Sequence, residues 1–260
     1  LFNRKSKEVL NMYCTAGFPK LASTMEVIRA LHQHGADLIE IGMPYSDPLA
    51  DGPVIQNSST VALENGMTLQ VLFDQLKALR LSELEGGVGN DLPVVLMGYM
   101  NPILQYGFEN FCAAAQAVGV DGLILPDLPL FEFETEYRPI LKQFGLDFIF
   151  LITPETSEAR IRAIDAQCSG FLYAVSSSST TGNNKAIELQ TTYFQQLEAM
   201  QLKNPILVGF GIKDFASFKT ACTHTNGAII GSAYIKAIES ADDIQATTKE
   251  FIKTIRQESL

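Results

Sequence analysis

Hydrophobic positions along the chain follow two periods that take turns. Short runs rich in apolar and β-branched residues fall at 11–15, 37–42, 94–98, 122–125, 147–152, 170–175, 206–209 and 228–231, and they read as strands. Longer stretches with helical spacing follow each one. The first of these is the clearest: Ser23 and Glu26 have capping-box spacing, Val27, Ile28 and Leu31 form one apolar stripe, and Gly35 closes the end. Strand-then-helix alternation implies a parallel sheet. Eight such units within 260 residues favour an α/β fold closed on itself, a (β/α)8 TIM barrel occupying residues 1–260 as one domain. An open doubly wound sheet is the competing arrangement.

A weak internal repeat favours closure. The second, fourth, sixth and eighth strands are entered through small residues, as at Gly35-Ala36, Gly119-Val120, Ser169-Gly170 and Asn226-Gly227. The third and seventh are entered through Pro93 and Pro205, and the fifth through Gly145-Leu146. Alternate barrel strands feed alternate interior layers, so an even/odd difference has a physical basis. The stretch 85–90 is flexible by composition and reads as a surface loop, at the barrel end away from the chemistry, rather than a linker.

Composition changes this picture in three ways. Apolar residues make up 47% of the chain, enough for one large core. No run approaches the roughly 18 apolar residues of a membrane span, so the expectation is a soluble, mature, cytoplasmic chain. The net charge of −10 argues against binding a nucleic-acid backbone, yet backbone N–H groups can still hold one metabolite phosphate. Cys14, Cys112, Cys168 and Cys222 are scattered, as expected of reduced core thiols, and His32, His34 and His224 do not cluster into a metal site. Acid–base chemistry then falls to carboxylates or tyrosines.

Glu40 interrupts the apolar run Leu38-Ile39-Glu40-Ile41-Gly42. Strand alternation puts it on the face of Leu38 and Gly42, pointing into the barrel near its carboxyl-terminal mouth. A buried carboxyl there has a raised pKa and suits a general acid/base, unless an Arg or Lys pairs with it. The proline-rich loop that follows, 44–53, carries Asp47 and Asp51. Asp47, ahead of a proline, reads as a turn residue, whereas Asp51 has enough chain to fold back over the strand end. Gly209-Phe210-Gly211 and Gly231-Ser232 follow the seventh and eighth strands, where barrels commonly build a phosphate cradle from backbone N–H groups. The small polar run 176–184 reads as a lid, with a plain surface loop as the alternative. Lys213 is the one lysine near a strand end, which disfavours Schiff-base chemistry.

At these residues the sequence resembles the tryptophan synthase alpha chain family. The stretch running from Ile39-Glu40-Ile41-Gly42-Met43-Pro44-Tyr45-Ser46-Asp47-Pro48 through Leu49-Ala50-Asp51-Gly52-Pro53-Val54-Ile55-Gln56 is similar to its signature. Thr15-Ala16-Gly17-Phe18-Pro19, Leu96-Met97-Gly98-Tyr99-Met100-Asn101-Pro102, Pro126-Asp127-Leu128-Pro129 and the two glycine loops match as well. The resemblance implies a lyase of tryptophan biosynthesis that cleaves indole-3-glycerol phosphate by a retro-aldol step, with Glu40 as acid/base and Asp51 at the indole N–H. It implies phosphate binding by Gly182, Gly211, Gly231 and Ser232. Tyr13, Met97, Leu125, Asp127 and Tyr173 would line or order the indole pocket, with core packing the plainer role for Met97 and Leu125 and a helix cap for Asp127. Thr181 would be the lid threonine.

The lid departs from the family pattern Ser-Arg-x-Gly-Val-Thr-Gly, because Ser176-Ser177-Ser178-Ser179-Thr180-Thr181-Gly182 lack the arginine and central glycine. The resemblance further implies an alpha2-beta2 heterotetramer. Pyridoxal phosphate would be carried by the beta subunit and no cofactor or metal by this chain, and the partner would cover the loops at 48–56, 99–107 and 127–131. The rivals are another phosphosugar barrel enzyme, and an alpha chain that is mainly regulatory.

Overall fold

A computed structural model describes residues 1–175, 184–209 and 211–257, with 184–191 as helix backbone. Eight strands, β1 (Val9–Thr15), β2 (Leu38–Gly42), β3 (Val94–Met97), β4 (Gly122–Ile124), β5 (Asp147–Ile152), β6 (Leu172–Val175), β7 (Ile206–Gly209) and β8 (Gly227–Ile230), close into one parallel barrel in chain order. The open-sheet alternative is thereby removed. Helices α1 (Thr24–Gln33), α2 (Pro53–Glu64), α3 (Leu69–Leu76), α4 (Met100–Tyr106) and α5 (Phe108–Ala117) accompany the first strands. A π-turn, Phe133–Tyr137, joins α6 (Leu130–Glu132) to α7 (Arg138–Gln143). Then come α8 (Glu158–Gln167), α9 (Asn184–Ala199), α10 (Phe215–His224), α11 (Ser232–Ile238) and α12 (Ile244–Arg256). Helices cover the outside and side chains fill the inside, so β1, β2, β3, β4, β7 and β8 are buried at every residue.

Closure explains where strand ends move. β1 starts at Val9 because Val9 and Leu10 pair with Gly227 and Ala228 of β8, while Asn11 to Thr15 pair with β2. β6 starts only at Leu172, because Gly170 takes a φ of +99° that no strand residue adopts. At the amino-terminal end of the barrel, Asp37 Oδ2 accepts from Lys5 Nζ at 2.6 Å, from the Leu10 N–H at 2.8 Å and from Arg256 at 2.7 Å. That carboxylate ties the first and last segments together.

Two local expectations change. Ser23 does not cap α1: a 3-10 turn (Leu21–Ser23) leads into the helix, and Ser23 makes no side-chain cap bond. Thr24 Oγ1 instead accepts the Gly17 N–H at 3.0 Å, which anchors the helix to the β1 loop. Gly35 does close α1, with φ +101° and the Ala36 N–H returning to the Leu31 carbonyl at 2.9 Å. The 85–90 stretch is a surface loop and no linker, but it is stapled rather than loose. Ser82 and Glu85 form a capping box there, and the Val88 N–H bonds to the Leu79 carbonyl at 2.9 Å. Arg80 donates to the carbonyls of Gly89 at 3.1 Å and Leu92 at 2.7 Å and to Asp121 at 2.6 Å. One guanidinium, with its five donors, supplies the order that composition does not show.

Candidate active site

Glu40 is wholly buried, paired in register with Tyr13 of β1 and Val95 of β3. Asn11 Nδ2 donates to its Oε2 at 3.1 Å, and Oε1 has no hydrogen-bond partner among the described residues. Burial pushes the carboxyl up to about 8; the Asn11 bond opposes this, and the nearby Asp51 charge adds to it. Glu40 is therefore a neutral acid at neutral pH, able to give a proton and take one back.

Asp51 reaches the same cavity through its loop. Its N–H bonds to the Pro48 carbonyl at 3.0 Å, Gly52 is extended, and Pro53 occupies the first turn of α2, where a missing N–H costs nothing. Tyr99, from the loop after β3, donates to Asp51 Oδ2 at 3.1 Å and accepts the Ala50 N–H at 3.0 Å. Partial burial raises the Asp51 carboxyl to about 6, and the Tyr99 bond holds it back. Asp47 is exposed, accepts from Ser46 Oγ at 2.5 Å and takes the Leu49 N–H on its carbonyl at 3.0 Å, the geometry of a turn residue.

Glu40 and Asp51 line one cavity of about 320 Å³, the small end of the range for ligand pockets. Tyr13, Met97 and Tyr173 form its walls with Leu151, Ile229 and Ile55. Two strand glycines make room for the tyrosines: a Cβ on Gly42 would overlap the Tyr13 hydroxyl, and one on Gly209 would overlap the Tyr173 ring. Burial pushes both phenols well above their ordinary range, so they stay neutral donors.

Gly211, Gly231 and Ser232 line the same cavity, the last two where α11 begins. The first turn of a helix leaves N–H groups without internal partners, which suits an anion. Thr181 and Gly182 lie outside the described residues. Leu125 is buried in the core and is not among the cavity-lining residues. Asp127 is likewise away from the lining: both its oxygens accept the Met100 N–H, at 3.1 and 3.0 Å. It thus fixes the residue next to Tyr99, and so orders Asp51 at one remove.

Sequence reasoning missed several members. Lys213 and Lys236 both line the cavity with Gly211, Gly231 and Ser232. Lys236 lies four residues after Ser232, one turn along the same helix face, a spacing that could have identified it. Leu151 and Ile229 follow from strand alternation once the barrel's inward face is fixed. The partnership of Asn11 with Glu40 left no sequence signal of its own.

The family model described as tryptophan synthase alpha chain matches residues 2–259. The chain is similar to the tryptophan synthase alpha chain of Bacteroides thetaiotaomicron, with 49% identity over 94% of this chain and 93% of that protein. Among solved structures it is similar to tryptophan synthase subunit alpha from Legionella pneumophila, at 34% identity with a TM-score of 0.86 over 98% of this chain and 93% of that one. It is also similar to the tryptophan synthase A-subunit of Pyrococcus furiosus, at 33% identity and a TM-score of 0.86 over 98% of this chain and 100% of that one.

Proposed function

This chain belongs to the tryptophan synthase alpha chain family, and we propose that it cleaves indole-3-glycerol phosphate to indole and glyceraldehyde 3-phosphate by a retro-aldol reaction. The observation that carries this reading is a wholly buried, neutral Glu40 and a hydrogen-bonded Asp51 on one small, mostly apolar cavity that glycine-bearing loops also line.

The chemistry follows from those two carboxyls. Neutral Glu40 gives its proton to indole C3, which turns the ring into a cationic electron sink. Asp51, ionised above about pH 6, faces the ring N–H and stabilises that positive charge. Glu40, now a carboxylate, takes the proton of the side-chain hydroxyl. The oxygen's electrons form the aldehyde, the bond to C3 breaks, and its electron pair returns to the ring. Indole leaves neutral and Glu40 is again protonated, so protons balance over the cycle. One carboxyl raised and the other kept lower is the arrangement this division of labour needs. The apolar walls fit the indole, and backbone N–H groups of Gly211, Gly231 and Ser232 fit the phosphate; Gly182 and Thr181 are assigned to the phosphate and the lid by the family resemblance alone.

Three exposed apolar side chains support a partner. Leu49, Leu104 and Phe131 are 93%, 51% and 70% exposed, and they lie in the segments 48–56, 99–107 and 127–131, of which only the first carries its apolar side chain on a loop, since Leu104 is on α4 and Phe131 on α6. A beta subunit carrying pyridoxal phosphate covers these segments in this reading, in an alpha2-beta2 complex in the cytoplasm. No helix among the described residues is long and apolar enough to cross a membrane.

The test is indole release from indole-3-glycerol phosphate by the native chain and by Glu40→Gln, each with and without a beta-type partner. Slow release alone, faster release with partner and near-complete loss in Glu40→Gln are expected. A native chain inactive even with its partner overturns the reading.

A further inference from the structure

Asn11 is a polar side chain where a barrel interior asks for an aliphatic one. It sits on β1 two residues before Tyr13, fully buried. A buried amide without partners costs several kcal/mol in an apolar layer. Asn11 donates a side-chain hydrogen bond to Glu40 Oε2, while its own Oδ1 has no partner among the described residues. Packing alone gives no reason for this amide, since an aliphatic side chain there would bury no polar atom.

The register makes the contact directional. Asn11 lies opposite Leu38 and Tyr13 opposite Glu40, so the amide reaches Glu40 diagonally, from the layer nearer the barrel's amino-terminal end. We propose that Asn11 is a positioning residue for the carbon–carbon cleavage: it holds Glu40 Oε2 as an acceptor and thereby leaves Oε1 as the oxygen that exchanges protons with substrate. The inference rests on the retro-aldol reading above. In a neutral carboxyl, the oxygen accepting an N–H is the carbonyl oxygen, and the hydrogen resides on the other one. Oε1 is that other oxygen, and no described residue bonds to it. The N–H donor also stabilises the carboxylate that Glu40 becomes midway through the cycle.

Several titratable groups are near enough to Glu40 to feel its charge. Asp51 comes from the loop after β2, Tyr13 and Cys14 from β1, and Tyr173 from β6. Lys213 and Lys236 line the same cavity. Burial pushes the Cys14 thiol up to about 12 and both phenols well above their ordinary range. Burial does most to raise the proton affinity of Glu40, and Asn11 and Asp51 are the neighbouring groups that adjust it.

Asn11→Val removes the donor in a side chain about one methyl group larger, and Asn11→Ala is a smaller second variant, also without a donor, should the first not fold. Each is compared with the native chain for kcat, KM and the pH dependence of indole release, with Glu40→Gln in parallel. The expected result is a kcat lower by roughly 10-fold or more, KM within about 2-fold, and the alkaline limb moved upward by about one unit, because a donor that favours the carboxylate is gone. An unmoved alkaline limb overturns the proposal, whether kcat is unchanged or falls together with thermal stability, for Asn11 is then a packing residue. Activity retained in Glu40→Gln removes Glu40 from the chemistry and overturns the retro-aldol reading itself, a failure visible separately from that of Asn11.

Discussion

The Tyr99 hydroxyl donates to Asp51 Oδ2 at 3.1 Å while accepting the Ala50 N–H at 3.0 Å. One phenol from the β3 loop thus fixes both the backbone and the carboxylate of the β2 loop. Its ring packs against Tyr45 at 5.3 Å between centroids, and the N–H of the next residue is held by Asp127. Three loops at the barrel mouth are joined through Tyr99, and what they position is the carboxylate that, in the proposed reaction, is charged when the indole ring becomes cationic.

Replacing Tyr99 by Phe keeps the ring and deletes the bond to Asp51. A bond donated to a carboxylate favours its ionised form, so its loss raises the Asp51 pKa above its present value of about 6. The acidic limb of kcat/KM is expected to move to higher pH, with activity roughly 10-fold down near pH 6 and less affected near pH 8. The substrate phosphate also titrates near pH 6, but equally in both proteins, so the difference between profiles reports Asp51. Superimposable limbs would dismiss this role for Tyr99.

Glu40→Gln is expected to be more stable as well as nearly inactive. In the native chain the Glu40 pKa is raised from 4.5 to about 8. Below about pH 4.5 the group is neutral whether folded or not, and burying it carries no ionisation cost. As pH rises toward 8, the unfolded chain sheds a proton that the folded chain keeps, so native stability falls, by an amount on the order of a few kcal/mol. The amide of the variant has nothing to titrate. The stability difference between variant and native chain, followed by denaturant unfolding, should widen from pH 5 to about 8 and then level off. A difference independent of pH would show that burial does not raise this carboxyl.

How much of this was legible in the sequence depends on whether a role is local or relational. Glu40 announces itself, because a charged residue breaks a five-residue apolar strand. Asp51 does so through a loop too rich in proline to be a random connection. The barrel follows from the eightfold alternation. Tyr99 and Asn11 are different: nothing within their own strands or loops marks them. Their partners lie 48 and 29 residues away, and the contacts exist only through the packing of neighbouring loops for Tyr99 and through cross-strand register for Asn11. Ser23 fails in the opposite sense, since its spacing is right for a cap but a preceding 3-10 turn takes it into helical geometry. Leu125 lies just past β4 and is buried in the core rather than on the cavity wall, a distinction that strand alternation one residue past a strand end does not make.

Phe131→Glu tests the partner face. Phe131 is 70% exposed and lies away from the cavity, so a charge there leaves cleavage by the isolated chain unchanged. Desolvating that charge under a partner is costly. The affinity for a beta-type chain, measured by titration calorimetry, should drop by roughly 10-fold or more, and the stimulation of indole release should need correspondingly more partner. Unaltered affinity would place the partner elsewhere on the barrel.

Lys236 tests how an acidic chain holds a phosphate. The protein carries a net charge of −10, and a phosphate ester near neutral pH carries about −1.5 to −2. In the proposed reading, backbone N–H groups at Gly231 and Ser232 give the phosphate direction but no whole positive charge. Lys236, one helical turn further along α11, and Lys213 both line the same cavity. Lys236→Met is expected to raise KM by about 5-fold at low salt, the scale of a partly exposed ion pair, with kcat within about 2-fold. The gap should narrow at high ionic strength, where such attraction is screened. Indole-3-glycerol, lacking the phosphate, should bind native and variant chains equally. If its KM rises as much as that of the phosphate ester, Lys236 acts by shaping the pocket rather than by its charge.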